Sequence, residues 1–187
     1  MKITAILGSY RKGGVTDSAV DEILSAAAEC GAEVAKIYLT DKHIEYCTNC
    51  RACTQEPGQR HGQCPTVDDM RAILDELEQS DAIVIASPMN FGSVTAVTKK
   101  FMERLICFAY WPWGPAIPKI RDKRKTKLAV VVASSSAPSI ISRLFNSMLG
   151  TLIRQRYYGS SFWVSPSDGF PGDDFGSALS WTNYQET

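Results

Sequence analysis

The 187-residue sequence predicts a doubly wound α/β fold, and three observations support that expectation. Apolar runs of strand length alternate with segments whose apolar residues recur at helical spacing. Strand-to-helix alternation requires right-handed crossovers, and so a mainly parallel sheet covered by helices on both faces. Five such strands fit the order 2-1-3-4-5, which places a ligand at the carboxyl ends of the strands.

Ile3–Leu7 is the first strand, and Val20, Ile23, Leu24, Ala27 and Ala28 mark the first helix. Glu33–Leu39 alternates as a second strand. An irregular segment, 40–66, holds four of the six cysteines. Val67, Met70, Leu74 and Leu77 then mark a helix, with Thr66 as its expected cap and Asp68 and Asp69 in its first turn. Asp81–Ala86 reads as a buried third strand, and Val94, Val97, Phe101, Leu105 and Phe108 as one helix face. Aromatic residues and prolines crowd 110–118, and a basic run (Lys119, Arg121, Lys123, Arg124, Lys125, Lys127) precedes the fourth strand, Leu128–Ala133. That run precedes a strand and therefore reads as a solvated rim at the end away from the ligand. Ile141, Leu144, Phe145, Met148, Leu149, Leu152 and Ile153 predict a further helix, and Gly159–Val164 a fifth strand. The expected organisation is one domain over 1–187, with a cysteine-rich insertion at about 40–66 and an irregular tail at about 165–187.

Composition narrows the function classes. Twenty basic and twenty acidic residues give a formal net charge of zero, which does not point to nucleic acid or an anionic membrane. No apolar run approaches membrane-spanning length and strand residues begin at position 3, so the expectation is a cytoplasmic chain with reduced or metal-bound thiols.

The loop Gly8–Asp17 lies between the first strand and the first helix, where free N–H groups and the helix dipole favour an anion. Ser9 and Thr16 add hydroxyls, and Arg11 adds a forked cation. Gly14-Val15 stand where a Walker A loop has Lys-Ser/Thr, and Tyr10 stands where a dinucleotide loop has its second glycine. The remaining readings are a site for a terminal phosphate such as that of flavin mononucleotide, or a plain turn.

Gly8-Ser9-x-Arg11-x-Gly13-Gly14-x-Thr16, Cys47-x-x-Cys50-x-x-Cys53 and Ser87-Pro88-Met89-Asn90-Phe91-Gly92-Ser93-Val94 occur in that order. Together they resemble the NADPH-dependent FMN reductase family, and in particular its iron–sulfur flavoprotein branch. The resemblance implies a flavodoxin-like fold, bound FMN, and a dimer or tetramer. It also implies a phosphate loop at Ser9, Arg11, Gly14, Val15 and Thr16, and an isoalloxazine loop at Pro88, Met89, Asn90, Phe91, Gly92 and Ser93. Ser134, Ser135 and Ser136 would add donors at the pyrimidine edge. Met89 and Phe91 suit the ring faces, and backbone N–H groups suit its rim.

The branch closes its cysteine motif a handful of residues after the third cysteine, whereas ten residues separate Cys53 from Cys64 here. Cys47, Cys50, Cys53 and Cys64 are the candidate metal ligands, with a [4Fe-4S] cluster, zinc and free thiols as the open alternatives. Cys30 and Cys107 read as buried small hydrophobes, and His43 and His61 as surface-loop histidines. No catalytic side chain is named, because the flavin itself accepts hydride. Two functions fit. One is an oxidoreductase moving electrons from NAD(P)H or a reduced carrier to a quinone, metal or other small acceptor. The other is a non-catalytic electron-transfer iron–sulfur flavoprotein serving protein partners.

Overall fold

The computed structural model describes residues 1–58, 60–121, 127–135, 162–164 and 177–179. β1 (Lys2–Leu7) leads into α1 (Val15–Glu29) and β2 (Glu33–Tyr38). The cysteine segment follows, then α2 (Met70–Gln79), β3 (Ala82–Asn90), β4 (Ser93–Val94) and α3 (Ala96–Arg104). A two-stranded ribbon of β5 (Ala109–Tyr110) and β6 (Lys119–Ile120) precedes β7 (Lys127–Ser134), β8 (Phe162–Val164) and β9 (Ser177–Leu179). The predicted helix over 141–153 lies outside the described residues.

The main sheet runs β2-β1-β3-β7-β8 with every pair on this path parallel, which is the expected order 2-1-3-4-5. Register aligns the strand ends: Leu7 is opposite both Tyr38 and Ala86, and Pro88 is opposite Ser134. Two additions were not expected. β4 folds back antiparallel on β3, and β9 pairs antiparallel with the carboxyl end of β7, setting Ser177 opposite Ser134.

Side chains two apart on a strand share a face, so the sheet has two cores. Ile3, Ala5, Leu7, Val84 and Ala86 meet Val20 and Leu24 of α1. Ile6, Ile83, Ile85 and Val131 face Met70, Ile73, Leu74 and Leu77 of α2 and Phe101 and Met102 of α3. Among the described residues, no helix is long and apolar enough to cross a membrane.

Several local expectations are corrected. α2 starts at Met70, so Thr66 is not its cap, and Val67 is exposed ahead of the helix. Asp68 Oδ1 accepts instead from the Met70 N–H at 3.0 Å. Cys30 is exposed at the end of α1, while Cys107 is buried as expected. His61 is not a surface histidine: its ring packs edge-on against Phe108 at 5.8 Å, with Nε2 3.6 Å from Glu78.

Candidate functional site

The three predicted flavin-binding loops leave the carboxyl ends of β1, β3 and β7, which are neighbours in the sheet. Buried hydroxyls tie them together. Gly8 donates its N–H to the Ala86 carbonyl at 2.8 Å, and its carbonyl accepts from the Thr95 hydroxyl at 2.6 Å. A side chain at position 8 would collide with Thr98, since a Cβ there falls 1.6 Å from Oγ1. Thr95 caps α3 by accepting from the Thr98 N–H, and the Thr95 N–H donates to Ser87 Oγ at 3.1 Å. The Thr16 and Ser134 hydroxyls share a 2.6 Å hydrogen bond that joins the first and third loops. Ser87, Thr95 and Thr98 are fully buried. The sequence expectations do not include them as residues that tie the loops together. The signal available was a Thr-x-x-Thr at a helix start immediately after the loop.

Within the first loop, Gly14 is the N-cap of α1 and no side chain caps that terminus. The first-turn N–H groups have no acceptor within the helix. Ser9 Oγ donates to the Arg11 carbonyl at 2.9 Å and accepts from the Arg11 N–H, which shapes the turn. Arg11 and Val15 are exposed, and Arg11 packs its Cδ over Gly14. Asp17 braces the loop from below, accepting from the Gly13 N–H at 2.6 Å and the Tyr38 hydroxyl at 3.0 Å, and pairing with Lys36. Burial alone would raise the Asp17 pKa, but Lys36, Gly13 and Tyr38 outweigh it and hold it below the usual value.

In the second loop, Phe91 (φ +51°) and Gly92 (φ +75°) form the two-residue turn between β3 and β4, with Asn90 opposite Ser93. This is the primed turn that suits a twisted hairpin. A phenylalanine in the left-handed region costs backbone energy, and its ring projects fully into solvent. Met89, by contrast, packs partly against the α2–α3 core. Pro88 is half-buried at the end of β3. Ser135 is half-buried beside Ser134, and Ser136 lies outside the described residues.

The cysteine segment forms a second region. Cys47, Cys50, Cys53 and Cys64 all line one small cavity of about 50 Å³, together with Arg51, Arg104, Ile106 and Trp111. Among the described residues, no three Cys, His, Asp or Glu side chains converge as ligands of a single ion. Four thiols facing one cavity are a donor set of the kind an iron–sulfur cluster takes. The Cys53 thiol is pushed up to about 11 by burial and by the neighbouring thiols of Cys64, Cys47 and Cys50. The exposed Cys50 is lowered by hydrogen bonds from the Ala52 N–H and the Thr48 side chain.

Arginines close this segment. Arg121 donates Nε to the Cys107 and Ala109 carbonyls, Nη1 to the Glu56 carbonyl, and Nη2 to the Cys53 carbonyl at 2.9 Å. Arg121 was expected on a solvated rim and instead anchors the cysteine loop. Gly62 donates to the Cys107 carbonyl at 2.8 Å, and a Cβ on it would fall 1.6 Å from the Cys53 carbonyl oxygen. The chain between Cys53 and Cys64 therefore doubles back tightly, which overcomes the ten-residue gap. Arg51 stacks 3.9 Å from the Trp111 ring and 4.3 Å from the Trp113 ring, and donates to the Trp111 carbonyl. The Trp111 N–H donates to the Thr54 carbonyl. The aromatic segment 110–118 thus packs in part over its own chain.

Residues 1–146 match the NADPH-dependent FMN reductase family. The chain belongs to that family. Relatives named iron-sulfur flavoprotein include one from Archaeoglobus fulgidus, 37% identical over 149 residues, covering 80% of this chain and 62% of the relative. Another, from Methanocaldococcus jannaschii, is 40% identical over 104 residues, covering 56% of this chain and 51% of the relative. The chain therefore spans about half to three fifths of the length of these curated relatives. Among solved structures, an azoreductase from Bacillus anthracis aligns with a TM-score of 0.62 at 12% identity, covering 86% of this chain and 82% of that one. The NAD(P)H:quinone oxidoreductase from Methanothermobacter marburgensis aligns at 0.60 and 16% identity, covering 87% and 81%. At these identities the structural likeness shows the shared fold.

Proposed function

We propose that this chain is an FMN-dependent oxidoreductase that takes electrons from NAD(P)H or a reduced carrier and delivers them to a quinone, metal or other small acceptor. The supporting observation is the hydroxyl network joining the three loops beside the uncapped start of α1. Ser9, Arg11, Gly14, Val15 and Thr16 would hold the phosphate. Pro88–Ser93 would border the ring, and Ser134–Ser136 would face its pyrimidine edge. FMN bound there supplies hydride acceptance and release of electrons singly or in pairs. The protein's part is to bind, orient and exclude water.

Cys47, Cys50, Cys53 and Cys64 would hold a [4Fe-4S] cluster, a one-electron centre. α3 links the two regions: Thr95 at its start is bonded to Gly8, and Arg104 in its last turn lines the cysteine cavity about 13 Å along the axis. The working unit is one domain over 1–187 assembled as a homo-oligomer. Exposed Phe91, Trp113 and Ile117 support that assembly. A monomer by light scattering at micromolar concentration, still active and holding flavin, contradicts it.

The double variant Arg11→Ala/Thr16→Ala is expected to weaken FMN binding by about 3 kcal/mol, the worth of two charge-assisted hydrogen bonds. Unchanged affinity removes this loop as the phosphate site. Anaerobic oxidation of NADH or NADPH with duroquinone as acceptor tests the enzymatic reading. Failure with both nucleotides, in protein that passes electrons to a ferredoxin after photoreduction, favours the non-catalytic electron carrier.

A further inference from the structure

Arg71, Leu74 and Glu78 recur along α2 at intervals of three and four, which places them on one face of the helix. That face walls a cavity of about 480 Å³, bounded elsewhere by the 60–68 segment and by Arg104 and Cys107. The volume is that of a small-molecule site. Met70, Leu74 and Cys107, all buried, give the cavity an apolar lining. Its charged lining is incompletely paired. Arg104 is committed, its fork on Asp68 and its Nη1 also donating to the Glu45 carbonyl at 2.9 Å. Arg60 and Arg71 are exposed at the rim, and no acid pairs with either among the described residues. Glu78 has the complementary defect: its Oε1 is buried without a hydrogen-bond partner. His61 Nε2 stands 3.6 Å from that oxygen, beyond hydrogen-bond length. A buried carboxylate oxygen without a donor is costly, and a donor from a ligand removes the cost.

Uncommitted guanidinium forks suit the oxygens of a phosphate. A carboxylate oxygen that lacks a donor suits a ribose hydroxyl, and an apolar lining suits the face of a base. We propose that this cavity is a nucleotide-binding site, with Arg60 and Arg71 on the phosphate and Glu78 Oε1 accepting from a ribose hydroxyl. Other ligand classes answer only part of the lining. A quinone has no hydroxyl to donate to Glu78, and a metal cation is repelled by two unpaired arginines. The site is separate from the three loops assigned to FMN and does not depend on a cluster among the cysteines. The same chemistry is offered by a free nucleotide and by the adenylate half of a nicotinamide dinucleotide.

The test is isothermal titration calorimetry on the full chain, purified anaerobically and saturated with FMN so that the phosphate loop is filled. The probes are 5′-AMP, adenosine, and 2′,3′-dideoxyadenosine 5′-monophosphate. Wild-type protein is expected to bind 5′-AMP about tenfold more tightly than either analogue, since each analogue lacks one recognised group. Arg71→Ala is expected to weaken 5′-AMP about tenfold and to leave adenosine unchanged. Glu78→Gln is expected to abolish the preference for 5′-AMP over the dideoxy compound. Thermal melting and FMN content report folding, and the wild-type comparison of probes needs no variant. Three results overturn the proposal: no saturable heat with millimolar 5′-AMP, equal wild-type affinity for 5′-AMP and the dideoxy compound, or a preference between those two that survives Glu78→Gln. Unchanged 5′-AMP affinity in Arg71→Ala overturns it as well. The two sources of the ligand separate in the duroquinone assay. Competition between 5′-AMP and NADPH there identifies the dinucleotide, whereas 5′-AMP binding without effect on turnover, or without any NADPH oxidation, identifies a free nucleotide. Calorimetry reads binding without turnover, so failure of the oxidoreductase reading leaves this test standing.

Discussion

The flavin-loop end and the cysteine segment are assembled from different materials. At the carboxyl edge of the sheet, short loops leave adjacent strands, and small hydroxyl residues close to them in sequence join them: Ser87, Thr95 and Thr98, with Thr16 bonded to Ser134. In the cysteine segment, long cationic side chains reach in from elsewhere. Arg121 comes from the end of β6 and satisfies the Cys53 and Glu56 carbonyls, and Arg104 comes from α3 and satisfies the Glu45 carbonyl and Asp68. Parallel strands bring their own loops together. An irregular insertion of 27 residues (40–66) has no sheet to register it and depends on distant donors.

The largest effect is expected where one such donor serves several carbonyls. Arg121→Met should cost about 4 kcal/mol in urea unfolding, because buried carbonyls of Cys53, Cys107 and Ala109 lose a charged donor. Purified protein should lose iron while retaining FMN. Equal loss of both would merge the two regions into one.

Asp17→Asn addresses the opposite region. Removing the buried acid leaves Lys36 with only the exposed Asp21 as a partner, at about 2 kcal/mol. Asp17 has a folded pKa below its unfolded value of 3.8. Its contribution is therefore complete above pH 3.8 and is lost as pH falls through the folded pKa. Lys36 is raised above 10.5, so its share persists below that pH and is lost only as pH rises through the higher folded value. Denaturation midpoints across pH 2–7 should show a flatter acid limb in Asp17→Asn, and identical limbs would contradict the pairing.

Much of this contrast follows from what a sequence displays. The strand order, both helix faces of the core and the positions of the three loops were legible because apolar period and glycine placement are local signals. The roles of Arg104, Arg121 and Gly62 were not. A lone arginine in a helix or a basic run looks like a solvated charge until the chain folds its partner against it. The same holds for Trp111: the crowded aromatic run 110–118 names no partner in sequence, and the stack with Arg51 seats this ring over its own chain.

Thr95→Val keeps the shape and removes the hydroxyl that caps α3 and reaches Gly8. A loss of about 2 kcal/mol in stability is expected, with weaker FMN binding measured by fluorescence titration. Normal FMN affinity would show that the two loops stay together without it. The smallest effect is expected for Trp113→Ala. The ring is 67% exposed and covers only one face of Arg51, so about 1 kcal/mol is lost. A larger loss of stability that depends on protein concentration would relocate Trp113 to an interface between copies.

The central claim is that the hydroxyl-bonded loops and the arginine-closed cysteines hold two different redox centres in one chain. Quantifying FMN, iron and acid-labile sulfide together in anaerobically purified wild-type protein tests it most directly. The account predicts about one FMN, four iron and four sulfide per chain; a full complement of FMN with neither iron nor sulfide would contradict it.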